Sequence, residues 1–118
     1  YAEWVEDRWA VRMRQSVREA TTVWWSVGDY SIGAEAYVLP APAANADSVY
    51  RLALVRNQAA WRAHYALDAE GAVVIRGRLD RDAGFDELDL LLGEIYSMVE
   101  MSFRQMIRLA FATREKTP

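Results

Sequence analysis

A chain of 118 residues and 13.5 kDa is the size of one domain able to bury roughly two-thirds of its unfolded surface. The hydrophobic share of 53%, with five Trp and six Tyr, excludes disorder, and the net charge of -3 argues against bulk attraction to nucleic acid or an anionic membrane. The absence of Cys excludes disulfides, thiolate metal sites and cysteine nucleophiles.

No apolar run approaches the ~20 residues of a membrane helix and no signal-peptide pattern opens the chain, so the expected compartment is the cytoplasm. The first residue is Tyr1, which suggests that the natural N-terminus lies upstream. Thirteen Arg against one Lys, with nineteen Ala, fit a GC-rich bacterial genome.

Residues Tyr1 to Arg14 fit two periods. Tyr1, Val5, Trp9 and Met13 recur every four, whereas Trp9, Val11 and Met13 alternate with Ala10, Arg12 and Arg14. A strand over Arg8 to Arg14 is expected, with the first few residues the stub of a helix. Polar Gln15 to Glu19 then turns the chain back.

Thr21 to Pro40 predicts a β-hairpin about Gly28-Asp29. Val23, Trp25 and Val27 share a face with Ile32, Ala34, Ala36 and Val38. The opposite face carries Trp24, Glu35 and Tyr37. After Pro40 a loop offers Asn45, Asp47 or Ser48 as a helix N-cap. The helix that follows carries Val49, Leu52, Ala53 and Val55 and ends near Gln58, with Asn57 as a left-handed terminator.

A second hairpin follows. Trp61, Ala63, Tyr65 and Leu67 alternate with Arg62, His64 and Ala66; Gly71 is the positive-φ residue of the turn; then Val73, Ile75 and Leu79 oppose Val74, Arg76 and Arg78. The last element is a helix from Phe85 to Phe111, apolar at Leu88, Leu91, Leu92, Ile95, Val99, Phe103, Met106 and Ile107, acidic at its start and basic near its end. At ~40 Å it should kink or break near Met98 to Ser102. Its stripe is the natural cover for both hairpins. The fold class expected is α+β, two layers, with a five-stranded antiparallel sheet and helices on one face.

The stretches RWAVRMR at Arg8 to Arg14, TTVWWSVGDYSIGAEAYVLPAP at Thr21 to Pro42, LVRNQAA at Leu54 to Ala60, YALDAEGAVVIRGRL at Tyr65 to Leu79 and FDELDLLLGEIYSMVEMSFRQMIRLAF at Phe85 to Phe111 resemble the YbjN family, especially its actinobacterial members. The resemblance implies one YbjN-like domain over residues 1–118, with the fold of type III secretion chaperones, α-β-β-β-α-β-β-α, its first helix truncated or upstream here. It implies a domain that binds polypeptides rather than turning over a substrate.

The residues themselves offer no catalytic constellation. His64 falls on the outward sheet face beside Arg62, away from any nucleophile. Asp86, Glu87 and Asp89 suit a first helical turn better than a metal, and no Gly-rich phosphate loop is present. No enzyme, cofactor or metal is expected. The outward face does gather Arg12, Arg14, Trp24, Tyr37, Arg62, His64, Arg76 and Arg78, residue types that binding hot spots favour. These are the partner-binding candidates of a chaperone- or adaptor-like module, expected as a homodimer, that holds a protein or peptide client by strand addition or in an apolar groove. The alternative is a regulatory module binding nucleic acid or an acidic ligand through the Arg-rich face.

Overall fold

A computed structural model describes residues 2–5 and 8–112. The elements are β1 (Ala2–Val5), β2 (Arg8–Arg14), β3 (Ala20–Val27), β4 (Ser31–Leu39), α1 (Ala46–Arg56) followed by a 3-10 turn at Asn57–Ala59, β5 (Ala63–Leu67), β6 (Val73–Asp80) and α2 (Phe85–Ala110). The class is α+β with an antiparallel sheet and two helices, and the sheet has six strands in the order β1-β2-β3-β4-β6-β5. The sixth strand is β1. Ala2–Val5 is extended rather than a helical stub, because Trp4 pairs opposite Trp9 and their rings meet edge to face at 5.0 Å. The expectation for Tyr1 lies outside the described residues.

Alternation decides which face each strand buries. Val23, Trp25, Ala34, Ala36 and Ile75 are buried on the inner face, where both helices pack. Where Trp25, Ala34, Gly77 and Ala63 line up across four strands, the small side chains leave a trough, and Leu91 of α2 fills it. A Cβ on Gly77 would stand 2.7 Å from Leu91 Cδ1. A register shift between Tyr37 and Leu39 lets both Val38 and Leu39 be buried, which simple alternation does not foresee.

Gly71 adopts φ 87 as its turn requires, and Asp68 Oδ1 accepts from the backbone N–H of Glu70 and Ala72 to close that turn. The left-handed residue stands at the start of α1 and not at its end. Asn45, not Asn57, is left-handed at φ 55. Asn45 sits at the N-cap position without a side-chain capping bond and donates through Nδ2 to the Leu109 carbonyl, tying α1 to the end of α2. Asn57 continues in right-handed geometry and its amide turns to β5.

The final helix runs 26 residues without a break. Where a break was expected, the Tyr65 hydroxyl donates to the Met98 carbonyl at 2.8 Å; burial pushes that phenol up to about 12. The apolar cover is incomplete. Val27, assigned to the inner face, is 57% exposed, as is Trp9 at 45%, because α2 passes over β4 to β6 and leaves part of the β1–β3 inner face open. Trp61 precedes β5 and is exposed rather than alternating into it. No helix among the described residues is long and apolar enough to cross a membrane.

Candidate functional site: a basic basin on the outward sheet face

On the outward face one row of side chains runs Trp24, Glu35, Arg76, His64 across β3, β4, β6 and β5. Within this row Arg76 Nε donates to Glu35 Oε2 at 2.7 Å, so the one carboxylate of the row is already committed. Next to it the positions hold Ser26 and Gly33, side chains too small to fill the space above the sheet. A concave basin of about 570 Å³ results, edged by Arg8 and Trp24 on one side and by Arg62, His64 and Arg78 on the other.

Three local devices set these groups. The Arg8 guanidinium lies 4.7 Å from the Trp24 ring centroid, a cation–π contact that holds the indole against the sheet. Arg62 is placed from the other layer: Glu94 of α2 accepts the backbone N–H groups of Trp61, Arg62 and Ala63 at 3.1, 2.6 and 2.6 Å. Strand alternation then sends the Arg62 side chain outward beside Arg78. The side chains of Arg62 and Arg78 have neither an ion pair nor a hydrogen bond among the described residues. The basin is therefore net positive in a chain that is net negative.

Of the residues predicted for this face, Trp24, Arg62, His64, Arg76 and Arg78 come together around the basin. Arg12 and Arg14 do not. They lie toward the far end of β2, opposite Thr22 and Ala20, and Arg12 pairs with Glu19 at 3.4 Å. Tyr37 is outward and exposed opposite Val74, outside the basin. Arg8 belongs to the site and was absent from the prediction, although its parity with Ala10, Arg12 and Arg14 places it on this face.

No family model matches the chain. It is 32% identical over 105 residues to uncharacterized protein ML2442 of Mycobacterium leprae, an alignment covering 88% of this chain and 57% of that protein. It is 34% identical over 87 residues to uncharacterized protein Rv0487 of Mycobacterium tuberculosis, covering 73% of this chain and 48% of that protein, with the same figures for uncharacterized protein Mb0497 of Mycobacterium bovis. The chain spans about half the length of the curated relatives it matches. All three relatives are bacterial.

The obvious alternative use of the sheet, pairing at the β5 edge, is already occupied by side chains. Asn57 Oδ1 accepts from the Tyr65 N–H at 2.8 Å and Asn57 Nδ2 donates to the Tyr65 carbonyl at 3.2 Å, while Glu94 holds the Ala63 N–H. A visiting strand would have to displace both.

Proposed function

We propose that this chain is a non-enzymatic, cytoplasmic protein-binding module of the YbjN type, with a secretion-chaperone-like fold, that holds an acidic segment of a partner polypeptide in the outward basin. The observation that carries this reading is the pair of uncompensated guanidiniums, Arg62 and Arg78, facing Trp24 across the cavity. Arg and Trp are the side chains that dominate binding hot spots, because they bring large contact area with directional donors or a rigid ring. The occupied β5 edge favours capture on the sheet face over strand addition there.

The second reading, a single-stranded nucleic acid or another acidic ligand on the same residues, draws on the same combination of stacking platform and cations. Affinity capture from native lysate at low and moderate salt, with the wild type beside an Arg62→Glu/Arg78→Glu variant, separates the two. A specific protein retained by the wild type and lost in the variant supports the module. Retained nucleic acid moves the assignment to the second reading. Identical recovery by both forms removes the basin from function.

A further inference from the structure

On the opposite face of the sheet a second surface is left open. An apolar trough of about 400 Å³ runs between the inner face of β2–β4 and the first turns of α2, with Trp9, Val27 and Ile32 on the sheet side and Phe85, Leu88 and Leu92 on the helix side. Phe85 is 84% exposed and Val27 57%. Water is left against a row of large apolar groups that α2 borders but does not cover, and such contiguous patches mark docking surfaces.

The chemistry of the occupant follows from two features. First, the trough lies on a sheet face, where β2 and β3 have spent their backbone groups on each other and on β1 and β4. An incoming segment gains no main-chain hydrogen bonds and must satisfy its own, which is the condition a helix meets. Second, the charge at the trough is of one sign. Asp89 is the charged side chain among the described lining residues, with Asp86 and Glu87 in the same helical start.

We infer that this trough docks an amphipathic helix of a partner protein, apolar on the stripe that faces Trp9, Val27 and Leu92 and bearing Lys or Arg on the flank that faces Asp89. The module then has two docking faces of opposite charge preference: basic helix inside, acidic segment outside. The inner site does not depend on the outer one, since it shares no lining residue with the basin apart from the sheet itself.

The test is a fluorescence-anisotropy titration of the full chain with a labelled synthetic helix of about 18 residues having a Leu stripe and Lys flanks, against the same Leu stripe with Glu flanks. In a chain carrying Arg62→Glu and Arg78→Glu, so that the basic basin does not hold the Glu helix, the Lys helix should bind roughly tenfold or more tighter than the Glu helix. In that background Val27→Asp should abolish binding even though it adds negative charge and Asp89→Lys should reverse the preference, and the Lys helix should bind the wild type as tightly as it binds the double variant. Phe85→Ser replaces Val27→Asp if circular dichroism shows that variant unfolded. Equal affinity for the two helices, no measurable binding of either, or insensitivity to the trough variant overturns the proposal. So does light scattering that finds a wild-type dimer dissolved by Val27→Asp, which would assign the trough to a second copy of the chain.

Discussion

Asn57 makes with Tyr65 the two backbone hydrogen bonds that a neighbouring strand would make, one accepted and one donated through a single side-chain amide. The outer edge of β5 is thereby finished by a residue from the turn after α1. Replacing Asn57 with Leu keeps much of the volume and removes both bonds. A loss of about 1–3 kcal/mol is expected from the partly buried groups left unpaired, read as a lower urea midpoint. Light scattering should also show concentration-dependent association, as the bared edge recruits a second chain.

Gly77 and Leu91 make a separate prediction. The space above Gly77 is filled by Leu91, and the Arg62 carbonyl stands 3.2 Å from the same Cβ position. Gly77→Ala should destabilise the fold by roughly 1–3 kcal/mol through overpacking. Gly77→Ala combined with Leu91→Val should recover part of that loss, which equilibrium unfolding of the single and double variants would measure.

The Gln15–Glu19 connection is fastened to α2 by Glu100, which accepts from the Ser16 N–H at 2.8 Å, the Ser16 hydroxyl at 2.5 Å and Gln15 Nε2 at 2.9 Å. Those donors, the Ser16 hydroxyl foremost, hold the carboxyl down to about 2 from its ordinary 4.5. Between those values the unfolded chain binds a proton that the folded chain refuses. The stabilisation is therefore complete above about 4.5 and is lost as pH falls toward about 2. Urea midpoints measured across that window should fall more steeply for the wild type than for Glu100→Gln, and Ser16→Ala should shift the acid limb to higher pH.

Arg18 ties three elements together. Its guanidinium donates to the Val38 and Tyr37 carbonyls at 2.7 and 2.8 Å and to Thr21 Oγ1, and lies 4.9 Å from the Phe103 ring centroid. Arg18→Met retains the apolar stem but leaves two carbonyls at the β4 bulge without their donors. A loss of about 1–3 kcal/mol is expected, with hydrogen exchange accelerated at the end of β4 rather than in β5. Arg18→Lys should recover only part, since one ammonium cannot reproduce the fork.

Alternation and helical periodicity made most of the fold legible. The bounds of β2, the hairpin of β3 and β4, the Gly71 turn and the long α2 all follow from side-chain order within a dozen residues. What escaped is set by contacts between distant residues. β1 is four residues long, too short for a period to declare itself, and it is a strand because Trp9 is there to receive Trp4. Asn45 and Asn57 have the same local preferences, and only Leu109 and Tyr65 distinguish them. The break expected near Met98 rested on length alone, whereas the Met98 carbonyl takes the Tyr65 hydroxyl within an intact helix. In the basin, parity placed Trp24, Arg62, His64, Arg76 and Arg78 on one face. Their gathering, and the separation of Arg12 and Arg14, depends on strand order, which no local pattern contains.

That strand order has a kinetic meaning. Pairings β1-β2, β2-β3, β3-β4 and β5-β6 join elements adjacent in sequence, and the β4–β6 pairing alone bridges over α1 and β5. Two blocks can thus form early, each from short loops, and meet along a single seam at Ala34–Gly77 and Ala36–Ile75, where loop-closure entropy makes assembly slow. The basic basin draws its residues from both sides of that seam, while the sheet wall of the trough lies wholly in the first block. A variant that loosens the seam would be expected to lose the outer site first and keep strands β1 to β4 paired.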